Sequence, residues 1–311
     1  MLRRRIDEKL LEWKNRPNKM CLLLAGARQV GKTYSVMHFA RKNYDYAVEL
    51  NFEKNPAYRG IFEGSLEVDE ILARISLVYP GAKFVPGRTL IFLDEVQSCP
   101  RARTALKFLT QDRRFDVIAS GSLLGIRYKE EPSLPVGYVD HLEMHSLDFK
   151  EFLWAHGYDD PAIETLASYA TKDEPVPASI HQTMMRLLRE HIIVGGMPKA
   201  VQTFVDSHSF AEVLRVQRGI IDDYRADIAK YAEGAEKAKA RACFDSIPRQ
   251  LARSYKKFSY AVVEAKTGAR TYGGSLQWLY DAGIVNFCHN LETIGLPLEG
   301  NAIDNNFKVY M

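Results

Sequence analysis

A chain of 311 residues has room for about two domains. Its apolar and charged shares are those of an ordinary globular protein, and a formal charge of +3 does not by itself imply a nucleic-acid partner. No apolar run approaches the ~18 residues that span a bilayer, so no membrane partner is expected. The basic start "MLRRRIDEKLLEWKNRPNK" also lacks the apolar stretch of a secretion signal.

The elements follow in chain order. Residues 3–15 read as a helix with Ile6, Leu10 and Trp13 on one face, ended by Pro17. Leu22, Leu23 and Leu24 form a short buried strand, and "GARQVGKT" follows it as a G-x-x-x-x-G-K-[ST] loop. After Thr33, Val36, Phe39 and Ala40 recur at helical spacing. Strand, glycine-rich turn and helix are the order that cradles phosphates: backbone N–H groups converge on the anion and the helix N-terminus adds partial positive charge. Gly26, Ala27, Arg28, Gln29, Val30, Gly31, Lys32, Thr33 and Tyr34 are therefore candidate nucleotide contacts, with Lys32 on the β- and γ-phosphates and Thr33 on Mg²⁺.

Residues 46–52 read as a strand, and 66–79 as a helix striped by Val68, Ile71, Ile75 and Val78. Residues 88–95 are a buried strand ending in Asp94 and Glu95. Asp94 is the candidate Mg²⁺ residue. Glu95 stands where a carboxylate can orient and deprotonate water, which hydrolysis needs and a simple kinase does not. A helix is expected at 101–111 and a strand at 115–122, whose tip carries Ser120 and Ser122. Ser122 is the favoured γ-phosphate contact; small residues in a turn are the alternative. A last strand is expected within 139–147, and 148 to about 250 reads as almost wholly helical. This alternation predicts an α/β fold with a parallel sheet between helices. No N-K-x-D follows a strand, so adenine is the default base.

"IIVGGMPKAV" interrupts a helix with two glycines and a proline. Either it turns sharply to bring Pro198 against the base, with Lys199 near the phosphates, or it is a plain break between helices. Residues 249–270 hold six basic residues and one acid, Glu264. A helix pair with a short β-wing fits them, making Arg253, Lys256, Lys257 and Arg270 candidate DNA contacts. A structural spacer with a solvated basic face is the other reading. Cys21, Cys99, Cys243 and Cys288 are scattered without a C-x-x-C pair, which argues against a zinc site and predicts reduced thiols in the cytoplasm.

"GARQVGKT", "FLDEVQ", "VIASGSLLG", "LDFKEFLWA", "VGGMPKAV" and "YRADIAKYA" stand in the order of a known family. Together they resemble the AAA-family ATP-binding proteins of bacteria and archaea, which join an ATPase core to a C-terminal domain of unknown function that is often nuclease-like. The resemblance implies an N-terminal helix (1–19), a P-loop core of the AAA type (20–147), a helical lid (148–240) and a small winged-helix-like domain (241–311). It implies ATP and Mg²⁺ as ligands, with Thr33 and Asp94 at the ion, Glu95 activating water, Ser122 sensing the γ-phosphate and Lys32 completing the catalytic set. It places Pro198 near the nucleoside. Many members carry Gly-Arg before the last core strand, a candidate trans-acting finger in a homo-oligomer. This chain has Gly137-Tyr138 there, and Arg127 is the nearest substitute. The family continues past "FKVYM", so the chain is expected to lack that final domain.

The resulting expectation is a Mg²⁺-dependent ATPase whose hydrolysis drives a conformational change. Its rivals are an ATP-gated switch or scaffold with little turnover, a small-molecule kinase, and a DNA-binding protein gated by ATP.

Overall fold

The computed structural model describes residues 2–122, 137–232 and 234–311. They divide into two compact units, one holding the described residues up to Arg218 and the other Gly219–Met311. The family-based boundary was expected later, at 240/241.

The first unit opens with α1 (Ile6–Asn15), which buries Ile6, Leu10 and Trp13 as their spacing predicts. Then β1 (Cys21–Gly26), α2 (Lys32–Asn43), β2 (Tyr46–Asn51), α3 (Val68–Val78), β3 (Thr89–Asp94), α4 (Pro100–Asp112), β4 (Asp116–Ser122) and β5 (Val139–Met144) alternate. The strands pair in parallel in the order β2-β3-β4-β1-β5. Leu22, Leu23 and Leu24 on β1 and Leu90 to Leu93 on β3 are almost fully buried, because a parallel sheet covered on both faces needs apolar side chains in both directions. In α3 the buried stripe is Val68, Ile71, Leu72 and Ile75. Val78 was expected in that stripe but lies in the final turn and is exposed; Leu72 takes its place because 68, 71, 72 and 75 share one helical face.

Two features of this topology matter for a ligand. The chain leaves β1 to build β2 and β3 on one side, and returns through β4 to place β5 on the other. All five strands run parallel, so their carboxyl ends share one edge, and a sheet of this kind binds ligands at that edge where the strand order reverses.

Helices follow β5: α5 (Phe149–Ala155), α6 (Asp160–Thr171), α7 (Ala178–Val194), α8 (Pro198–Ser207) and α9 (Phe210–Tyr231). A capping box starts α5, since Asp148 accepts from the Glu151 N–H and the Glu151 carboxylate accepts from the Asp148 N–H. Phe152, Val194, Val201, Phe204 and Val213 join α5, α7, α8 and α9 in one apolar cluster.

The second unit has α10 (Gly234–Leu251), α11 (Tyr260–Val263), α12 (Ala269–Asp281) and an antiparallel hairpin, β6 (Asn286–Leu291) with β7 (Ala302–Tyr310). Its core is Phe244, Ile247, Phe258, Leu276, Leu279, Val285 and Val309. Among the described residues no helix is long and apolar enough to cross a membrane.

Candidate active site

The loop between β1 and α2 is shaped by two glycines for two different reasons. A Cβ on Gly26 would lie 2.3 Å from the Met144 carbonyl oxygen, so only glycine lets β5 approach here. Gly31 caps α2 with φ +96°, a left-handed conformation that side chains disfavour. The helix that follows aims its N-terminal partial charge at the loop. Lys32 is buried, and its ammonium donates to the carbonyl oxygens of Gly26 (3.0 Å) and Ala27 (2.9 Å). Burial pulls its pKa below the usual lysine range, opposed by the carboxylates of Glu95 and Asp94 and aided by Arg28.

Asp94 closes β3 and is 1% exposed. Three neutral donors hold its carboxylate: the Thr33 hydroxyl at 2.9 Å, the Asn51 amide at 2.7 Å and the Ser120 hydroxyl. Asn51 ends β2 and Ser120 lies on β4, the strands flanking β3, so the sheet itself delivers both. The next residue, Glu95, has φ 54°, which turns it out of the strand line. Its carboxylate accepts from the Gln97 side-chain amide at 2.5 Å. Burial raises its pKa first, Asp94 and Glu53 add to that, and the Gln97 bond and Lys32 oppose it. The buried Gln97 Oε1 has no partner.

Ser122 stands at the tip of β4 in register with Gly26, on the same strand face as Ser120 and two residues nearer the loop. The bond to Asp94 comes from Ser120, two residues before Ser122 on β4. Pro198 opens α8 beside the loop: its Cγ lies 3.8 Å from where a Cβ on Gly31 would stand. Gly195 (φ +72°) makes the turn that brings it there, and the Gly196 carbonyl accepts from the Leu147 N–H at 2.7 Å. A Cβ on Gly196 would fall 2.3 Å from the Leu147 carbonyl oxygen, so the close approach requires glycine. Tyr34 is exposed in the first turn of α2 and stacks on His38; Lys199 is exposed on α8. Arg28 and Gln29 lie within the loop itself.

Arg4 carries no motif and escaped the sequence reading. Its guanidinium is buried and donates to the Val30 carbonyl inside the loop (2.8 Å), to the His145 carbonyl after β5 (2.7 Å) and to the Glu151 carboxylate of α5 (3.0 Å). The Arg5 N–H reaches the same carboxylate at 2.7 Å. One side chain thus ties α1, the phosphate loop, β5 and α5 together.

Thr33 and Asp94 offer hard oxygen donors already in contact. Among the described residues no group of three His, Cys, Asp or Glu could cage an ion alone. That donor set fits a cation that keeps its waters and takes further ligands from substrate phosphates, as Mg²⁺ does.

Tyr138 stands at the amino end of β5, whereas the loop faces the carboxyl ends; its carbonyl accepts from Thr110 and its ring receives Lys107 at 5.2 Å. Arg127 lies outside the described residues. In the second unit Lys256 and Lys257 line a cleft with Lys308, whereas Arg253 and Arg270 are exposed elsewhere, after α10 and in the first turn of α12.

Residues 18–153 match a family described as an AAA domain, and residues 185–311 match a domain of unknown function, DUF8612. No curated protein matches the sequence. Among solved structures, the chain is similar to the Walker-type ATPase PABY2304 of Pyrococcus abyssi, at 12% identity and a TM-score of 0.54, covering 99% of this chain and 93% of that one. It also matches the Aeropyrum pernix Orc1 protein solved with DNA, at 15% identity and TM-score 0.36 over 99% and 87% of the two chains. A further match is DnaA from Aquifex aeolicus bound to AMPPCP, at 11% identity and TM-score 0.35 over 89% and 86%. The first of these shares the fold.

Proposed function

We propose that this chain, whose residues 18–153 match an AAA domain, binds ATP with Mg²⁺ and cleaves it with water to drive a change of conformation. The observation that carries this reading is Glu95. Lys32, Thr33 and Asp94 suffice to hold the nucleotide, and a passive binder needs nothing more. Glu95 adds a half-buried carboxylate one residue on, rotated out of the strand by its backbone and within electrostatic reach of Lys32.

In the proposed reaction Glu95 accepts a proton from water as the water oxygen bonds to the γ-phosphorus. The bond from that phosphorus to the β–γ bridging oxygen breaks, and its electron pair leaves with ADP. Lys32 exchanges its two loop carbonyls for phosphate oxygens and so places its charge where the transition state is most anionic. Ser122 faces the γ-phosphate from β4, Pro198 packs near the nucleoside, and Tyr34 and the 26–31 backbone complete the cradle. Mg²⁺, held by Thr33 and Asp94, would supply positive charge at the phosphates.

Glu95→Gln keeps size and hydrogen bonding but cannot take the proton. It should slow phosphate release by about 10²–10⁴-fold while leaving ATP affinity intact. Hydrolysis at the parental rate would remove Glu95 from the base role. A second reading, a nucleotide-gated switch with little turnover, draws on the Gln97 amide, which donates to one oxygen of the Glu95 carboxylate at 2.5 Å and makes it a weaker base. A parent that retains ATP and releases no phosphate under any condition would favour the switch.

For the second unit the proposed partner is nucleic acid, approached through Arg253, Lys256, Lys257 and Arg270. Three helices followed by a hairpin are the order of a winged helix, a shape that docks on DNA. Self-association and a cytoplasmic location belong to the same reading; the free thiols of Cys21, Cys99 and Cys243 support the latter.

A further inference from the structure

The hairpin of the second unit has two unlike faces. Phe287 and Phe307 pack on the core, and Val309 is buried within it. On the other face Cys288 pairs with Lys308 across the strands; the register shifts between His289 and Leu291, and Asn290 and Asn306 line the cleft beside that break. Residues 254–257 run alongside β7 and are fixed at their end: the Phe258 N–H donates to the Phe307 carbonyl at 2.9 Å, and the Ser259 N–H donates to the buried Gln250 side chain at 2.7 Å. Between this segment and the hairpin lies a cleft of about 460 Å³, lined by Tyr255, Lys256, Lys257, His289, Lys308 and the two asparagines among others. That volume is within the roughly 300–1,000 Å³ of small-ligand sites.

The chemistry of the lining is one-sided. Three lysines line the cleft, no Asp or Glu is among its lining residues, and among the described residues no ion pair joins these lysines to an acid. Like charges held together in this way favour a polyanion. Tyr255, beside them, is 71% exposed, an aromatic surface with no internal use. The asparagine side chains each offer donors and an acceptor, which phosphate alone does not need but base edges do. The His289 ring packs against Phe287 and Phe307 at 5.9 and 5.3 Å and so helps to fix the hairpin.

We infer that this cleft takes a nucleotide of single-stranded nucleic acid, its phosphodiester against Lys256, Lys257 and Lys308 and its base stacked on Tyr255. This rests on the reading that the second unit meets nucleic acid, and it moves the contact from the helices to the hairpin. A single strand is favoured over a duplex because a duplex keeps its bases stacked on one another and leaves Tyr255 and the asparagines unused. An acidic peptide or an anionic membrane would use the lysines alone.

The test is fluorescence anisotropy of the full chain with a labelled single-stranded oligonucleotide of about 16 nucleotides, the matching duplex, and phosphatidylserine vesicles as competitor. The variants are Lys256→Glu/Lys257→Glu/Lys308→Glu, Tyr255→Ala, and Arg253→Glu/Arg270→Glu, each checked for an unchanged melt and basal ATPase rate. The parent should prefer the single strand. The triple variant should lose binding and flatten its salt dependence, because fewer counterions are released. Tyr255→Ala should weaken binding by about tenfold or more without altering the salt slope. The arginine pair should leave single-strand affinity as it was. Unchanged single-strand binding in both cleft variants overturns the cleft assignment. If the arginine pair then loses duplex binding, the nucleic-acid reading survives without the cleft. A parent that binds neither form overturns both. Vesicles that displace the oligonucleotide from the parent, and that co-sediment with the parent but not with the triple variant, identify a membrane-binding patch and overturn the single-strand assignment.

Discussion

At the amino ends of the strands, acids meet cations. Asp116 pairs with Lys19 at 3.0 Å and receives the Tyr44 hydroxyl at 2.6 Å; Asp140 pairs with Arg16 at 3.0 Å; Asp45 pairs with Arg88. Burial pushes the Cys21 thiol there up to about 12, so it stays protonated and inert. At the carboxyl ends the same sheet does the opposite. Among the described residues Asp94 is held by neutral donors alone, and Lys32 by carbonyls alone. Both charges are fixed in place yet unneutralised by direct contact. The first end is electrostatically closed, and the second is arranged for something that carries both a cation and several negative charges. Around it, the Arg4–Glu151 pair supplies a closed frame.

The strongest challenge to this contrast is to break the frame. Arg4→Ala leaves the buried Glu151 carboxylate with backbone N–H partners alone and should cost about 3–5 kcal/mol, read by denaturant unfolding. An unchanged midpoint would mean that the frame contributes nothing. Next comes the charge itself. Lys32→Ala should weaken ATP binding by about 3 kcal/mol in calorimetry. Because it removes a buried cation with no contacting counter-ion, the nucleotide-free fold should melt no lower than the parent. A melt that drops together with affinity would make Lys32 a structural residue. Gly26→Ala drives a methyl group into the Met144 carbonyl and should destabilise by about 1–3 kcal/mol while leaving every charge in place. The smallest effect belongs to the closed end. Lys19→Ala removes a partly exposed ion pair and should cost no more than about 1 kcal/mol, with ATP affinity unchanged. Loss of nucleotide binding in that variant would erase the distinction between the two ends.

The phosphate loop was legible because its parts are contiguous: glycine, lysine and threonine at fixed offsets between a strand and a helix. Asp94 and Glu95 were legible as the end of an apolar run. What holds them was not. Asn51 is separated from Asp94 by 43 residues and Ser120 by 26, and both reach it only because β2 and β4 flank β3. The sequence offered two serines at one strand tip, and only the strand register separates Ser120, which bonds Asp94, from Ser122, which faces Gly26. Arg4 lay in a basic start that served only to rule out a secretion signal, and its partners are up to 147 residues away. Lys256 and Lys257 were read as part of a helical basic segment. Their neighbour Lys308 comes from the far strand of the hairpin, a pairing that no local pattern announces.

Arg4 and Pro198 also bear on how this protein can be dissected. A fragment cut to the limits of the recognised AAA domain, residues 18–153, would keep each phosphate-loop residue, Asp94 and Glu95. It would discard the guanidinium that grips the Val30 carbonyl from one side and the proline that sits against Gly31 from the other. Glu151 would remain within the fragment as a carboxylate without its counter-ion. The smallest piece able to hold its nucleotide loop in shape therefore begins before Arg4 and ends beyond Pro198. Expression tags are safer at the far terminus, since a bulky fusion beside Leu2 would load the very residues that grip the loop.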